Sequence, residues 1–157
     1  MGALGHSFGG AASVWAASET PLLRASVDLD GRFFGDMLRR APKTPVLLML
    51  AESHTAEADP TLGIFLGHAV GQVYTARVVG AEHNDFVDSA TLVTALARID
   101  PTVHPADFQL GPIDPGRALV IESAYVRAFF GATLSGKASR LLEGDAADFP
   151  EVGFEVR

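Results

Sequence analysis

No cysteine occurs in the 157 residues, which excludes disulfides and thiolate metal sites and leaves the redox compartment open. Positive charge is scarce: 12 Lys and Arg stand against 19 Asp and Glu, a formal net charge of −7 with no basic run. Repulsion therefore disfavours nucleic acid and anionic membrane surfaces as partners. No stretch approaches the 18 or so uninterrupted apolar residues of a transmembrane helix, so no transmembrane segment is expected. Residues 1–20 lack the basic n-region and apolar core of a secretory signal, and the localisation stays open. Internal repeats are missing, as are the His-x-x-x-His and Glu-x-x-His spacings that set two metal ligands on one helix face. His54, Asp59, His83 and Asp85 are donors that could gather around an ion, but with no ligand spacing among them no metal and no cofactor is expected.

What is present reads as a globular chain, 48% hydrophobic and 20% charged, of the size of one domain. Phe8 to Ser18 is rich in small residues and predicts a helix, and Arg24 to Asp30 alternates as a strand ended by Gly31. Val46 to Ala51 is a continuous apolar run, as in a strand buried on both faces. Residues 60–70 have helical spacing with Pro60 in the first turn, and Val73 to Val79 is a third β-branched strand ended by Gly80. A helix from about Phe86 to Ile99, an irregular proline-rich connection over 100–116, and a helix opened by Asp114-Pro115 and running to about Leu134 follow. Residues 1–134 thus hold the sheet and helices, and 135–157 are expected as an irregular tail. The alternation predicts an α/β fold with a parallel sheet and flanking helices, whose ligands collect beyond the carboxyl ends of the strands.

The chemistry-bearing motif is Gly5-His6-Ser7-Phe8-Gly9, a Gly-x-Ser-x-Gly between a strand-like stub and a small-residue helix. That is the setting of a nucleophile elbow, in which Ser7 is pushed above the sheet edge and the Phe8 N–H, at a helix start, faces a developing oxyanion. Gly5 and Gly9 are expected to be glycine because a Cβ would collide where strand and helix meet. A serine needs a base. Of the five histidines, His6 is adjacent on the wrong side of the turn, His68 lies in a helix, and His54 and His104 sit in loops; His83 falls just past the third strand at the rim where Ser7 is expected. The base in turn needs a carboxylate. Asp30, ending its strand at the same rim, and Glu52, following strand 46–51, are both candidates, while Asp28 is expected to be paired or partly solvated and Asp85 to be a helix cap. Phe33, Phe34 and Phe86 are candidates for an apolar acyl site.

The stretches Gly5–Ala11, Val27–Asp36 and Gly80–Asp88, with 23 residues from Ser7 to Asp30 and 53 from Asp30 to His83, resemble the α/β-hydrolase superfamily. Within it they are most similar to the platelet-activating factor acetylhydrolase branch and its lipase and dienelactone-hydrolase-like relatives. Residues 124–144 resemble the last helix and following segment of bacterial members. The resemblance implies the C-terminal part of that fold, from the end of strand five through strand eight, and Asp30 rather than Glu52 as the acid, because the family acid follows the sixth strand as the Asp of a Leu-Asp segment, here Leu29-Asp30. It implies a serine carboxylic-ester hydrolase without cofactor, acting on small-molecule esters or lipids, among them phospholipids with short or oxidised acyl chains. A dienelactone hydrolase or a peptidase on the same fold is the alternative. It also implies that a strand-five edge and the apolar faces of helices await a missing N-terminal half or self-association, in which case a fragment would act only through a partner.

Overall fold

Val46–Ala51 carries no polar position, and all six of its residues are buried at the centre of a five-stranded sheet. The computed structural model describes residues 1–40 and 42–157. Its strands are β1 (Gly2–His6), β2 (Ala25–Leu29), β3 (Val46–Ala51), β4 (Val73–Val78) and β5 (Val152–Val156), side by side in chain order. β1 to β4 run parallel, linked by α1 (Phe8–Glu19) and α2 (Pro60–His68) and by loops; β5 returns antiparallel to β4 after α3 (Ser89–Ala97) and α4 (Pro115–Ser135). Among the described residues, no helix is long and apolar enough to cross a membrane.

The two-residue period of β3 divides the core. Leu47, Met49 and Ala51 face α4 through Ile121, Tyr125 and Phe129, while Val46, Leu48 and Leu50 face α1 and α2 through Ala11, Val14, Leu62 and Phe65. The helices begin where their capping chemistry lies. The Asp59 carboxylate accepts the Thr61 N–H ahead of α2, and that of Asp114 accepts the Arg117 N–H ahead of α4, with Pro60 and Pro115 in the first turns. The helix expected from Phe86 starts at Ser89 instead, because His83–Phe86 forms a 3-10 turn locked by reciprocal caps between Glu82 and Asp85.

Residues 135–157 are not irregular throughout, which corrects the expected tail. Val152 and Phe154 are buried beside Tyr125 and β4, and their pairing with β4 covers an edge that would otherwise be open. Two outward N–H groups of β5 are also occupied: Val152 donates to the Phe149 carbonyl (3.0 Å) and Phe154 to the Asp145 carboxylate (2.8 Å).

Parallel pairing brings the ends of β1 to β4 to one rim. The loops there are pinned strand to strand: Ser7 N–H donates to Leu29 O (2.8 Å), Asp30 N–H to Met49 O (2.8 Å) and Glu52 N–H to Ala81 O (2.9 Å).

Candidate active site

At the junction of β1 and α1, Ser7 adopts φ 57° and ψ −126°, a conformation that L-residues rarely take. The turn is possible because a Cβ on Gly5 would overlap the Gly9 carbonyl. Gly9 itself has open space where its Cβ would sit, so the expected steric reason for that glycine fails; the crowded position is Gly10, which packs on the Asp28 carboxylate. The Ser7 carbonyl accepts the N–H groups of Gly10 and Ala11 (3.0 and 3.2 Å), leaving those of Phe8 and Gly9 at the open end of the helix, where partial positive charge gathers.

Ser7 Oγ lies 3.0 Å from His83 Nε2, and His83 Nδ1 lies 2.7 Å from Asp30 Oδ2. A hydroxyl, an imidazole and a carboxylate from three loops thus form one hydrogen-bonded series across the rim. Asp30 takes φ 53°, which aims its side chain sideways from the strand end. Burial acts to raise its pKa, but hydrogen bonds from His54, the Ala51 N–H and His83 outweigh that and hold it down at about 2. Ser7, Asp30 and Gln109 are the non-glycine residues at positive φ among those described, and all three line a single cleft of about 560 Å³. Strain of this kind, about 1–3 kcal/mol for each residue, gathers at functional sites.

Phe8, Arg32, Phe34, His54, Glu82 and His83 also border the cleft. Phe34 is half exposed and stacks on Phe8, ring centroids 5.5 Å apart. Phe33 and Phe86 are not there, a correction to the expected acyl site. Phe33 is buried and stacked on Phe65 at 3.9 Å, and Phe86 is buried in the core under α4. Residues 33 and 34 point to opposite sides of an extended segment, so only one of the pair can reach the cleft.

No family model matches the chain. It is 29% identical over 168 residues to a protein of Arthroderma benhamiae described as a probable 1-alkyl-2-acetylglycerophosphocholine esterase, covering 98% of this chain and 43% of that one. The solved structure of a ferulic acid esterase from Streptomyces cinnamoneus matches with a TM-score of 0.87 and 31% identity, over 98% of this chain and 46% of that one. The chain shares an α/β-hydrolase-like fold with these esterases. It spans less than half the length of these relatives, a share that fits the C-terminal half of the fold.

The surroundings of the carboxylate involve contacts that no local sequence pattern marks. His54 lies in a loop, as expected, but is buried, with Nδ1 2.8 Å from Asp30 Oδ1 and Nε2 3.1 Å from Asp59 Oδ2. His6 donates from Nε2 to the His83 carbonyl (2.8 Å), steadying the loop that carries the imidazole; burial lowers its pKa and favours the neutral ring. Glu52 accepts the Gly80 N–H (2.6 Å), and Asp85 accepts the N–H groups of Glu82 and Gly111. Asp28 is wholly buried rather than partly solvated, because Gly10 and Gly31 close over it. Among the described residues, no three His, Asp or Glu side chains form a metal-binding group.

Proposed function

We propose that this chain carries the reaction centre of a serine carboxylic-ester hydrolase. The observation that supports it is the hydrogen-bonded series from Ser7 Oγ through His83 to Asp30 Oδ2. In this reading Ser7 attacks the acyl carbonyl and passes its proton to His83 Nε2. Asp30, ionised, fixes the Nδ1–H tautomer and stabilises the imidazolium. The tetrahedral oxyanion faces the Phe8 N–H at the start of α1. Collapse returns the proton from His83 to the leaving alcohol. Water, deprotonated by the same imidazole, then releases the acid from Ser7.

The substrates in this reading are carboxylic esters whose acyl group rests against Phe8 and Phe34. The esterases it resembles point to two acyl classes, a short chain on a glycerophospholipid and an aromatic cinnamoyl-type acid. A second reading, activity only in association with a further strand-bearing segment, draws on β1, whose outer side pairs with no strand among the described residues and whose Leu4 is exposed.

One experiment addresses both readings. A fluorophosphonate probe is applied to size-exclusion fractions of the wild-type protein and of Ser7→Ala. Covalent labelling of wild type alone is expected; equal labelling of the two would remove Ser7 as nucleophile. Labelling confined to oligomeric fractions would favour the second reading.

A further inference from the structure

Asp30 is shared by two histidines, and the second belongs to no step above. Its Oδ1 accepts the Ala51 N–H (2.8 Å) and faces His54 Nδ1 (2.8 Å), so that only Oδ2 is turned to His83. The other nitrogen of His54 faces Asp59 Oδ2 at 3.1 Å. A neutral imidazole has one N–H and one lone pair. Either neutral tautomer would therefore press a lone pair against a carboxylate oxygen in a buried place, at a cost in low dielectric. Both carboxylates act as acceptors elsewhere, Asp30 as above and Asp59 through Oδ1 from the Thr61 N–H (3.0 Å) and hydroxyl (2.6 Å). With ionised acceptors on both sides, proton counting requires the imidazolium.

The geometry points to His54 as a positioning residue, a buried imidazolium clamped between Asp59 and Asp30 that fixes the Asp30 carboxylate for His83 and opposes protonation of that base. It rests on the reading in which His83 is the base. The titratable and charged groups around His54 are Asp30 at the exit of β2, Asp28 within β2, Asp59 at the start of α2 and Arg32 beside Asp59 (3.9 Å). His83 lies across Asp30, and Arg77 of β4 donates to the His54 carbonyl. Burial works against a charged His54, but hydrogen bonds and charge from Asp30 and then Asp59 outweigh it and raise its pKa above the ordinary 6.5. Two effects on catalysis follow. The carboxylate is held from three directions, so it cannot rotate away from His83. A cation on its far side draws on the same negative charge that would stabilise a protonated base.

The test uses ¹⁵N-histidine spectra and pH–rate profiles of the full chain. In wild type, both His54 nitrogens are expected to stay protonated at pH 6.5, with loss of the proton above that. A His54 that titrates at or below the ordinary value would overturn the assignment. Asp59→Asn keeps an oxygen to cap Thr61 but removes one charge, and should lower the His54 midpoint by about one unit or more; an unmoved midpoint would count against the clamp. His54→Asn keeps an N–H for Asp30 without the cation. Its kcat should fall on the order of tenfold with KM little changed. The acidic limb of its pH–rate profile should move to higher pH, since the base no longer has a cation opposing its proton. A limb and a kcat that match wild type would refute the role. Should His54→Asn not fold, the profile of Asp59→Asn is expected to show the same shift, smaller. If Ser7→Ala still turns over substrate, the serine reading fails on its own, and the ¹⁵N spectra decide the clamp regardless.

Discussion

Asp28 near the end of β2 and Asp30 just past it are both buried, and the protein drives their protonation in opposite directions. Asp30 has three donors counting both histidines, and is held at about 2. Asp28 is pushed up to about 7, first by burial and further by the charge of Asp30, against a single hydrogen bond from the Gly31 N–H (2.8 Å). Its Oδ2 has no partner among the described residues, so a proton there satisfies a group that would otherwise be a buried anion beside another.

That contrast has a pH signature. A carboxyl whose folded pKa is raised contributes stability that is complete below its ordinary value of 3.8 and is lost as pH rises through about 7. Asp28→Asn, which copies the neutral acid, should therefore unfold like wild type near pH 4 and resist denaturant increasingly more from pH 5 to 8. The gap should reach on the order of 2–4 kcal/mol. Parallel stability curves for the two proteins across this range would show that Asp28 is ionised in the fold.

The neighbouring phenylalanines should separate stability from substrate binding. Phe33→Ala deletes a buried ring stacked on Phe65 and should cost about 3–5 kcal/mol in denaturant unfolding. Phe34→Ala touches a half-exposed ring in the cleft and should change stability by less than about 1 kcal/mol. It should raise KM several-fold for esters of apolar or aromatic acids, with acetyl esters less affected. Equal losses of stability in both variants would contradict this division.

The elbow glycines should likewise respond unequally. Gly5→Ala places a Cβ on the Gly9 backbone, which cannot move without opening the turn, and should lower stability by at least a few kcal/mol. Gly9→Ala meets nothing within 4 Å and lies in the first turn of α1, so it should be neutral or stabilise by up to about 1 kcal/mol. Thermal unfolding of the two variants side by side reads the difference. A Gly9→Ala as damaging as Gly5→Ala would mean that the turn is tighter than its geometry here.

Much of the site was legible because its parts follow punctuated local patterns. Val46–Ala51 has no polar residue to make its boundaries ambiguous, and the glycines that end strands at positions 31 and 80 announce the loops carrying Asp30 and His83. His54 was passed over because nothing local marks it. Its partners are 24 residues before and five residues after it, and burial comes from loops folding over one another. β5 was missed for another reason. Its Val-x-Phe-x-Val alternation was present, but Gly153 and the preceding Pro150 read as loop composition, and the strand is stabilised by an edge of β4 that lies 74 or more residues earlier. The dryness of Asp28 depends on two missing side chains, at Gly10 and Gly31, whose approach only three dimensions reveal.

Asp145 and Phe149 act as a latch on the last strand, since they take up two of the N–H groups through which another chain would extend the sheet from that flank. Lateral growth is thereby hindered on that side. The flank left able to recruit a further strand is β1, and it ends one residue before Ser7. Any polypeptide that lengthened this sheet would lie directly alongside the elbow, so that assembly and reactivity share a single surface.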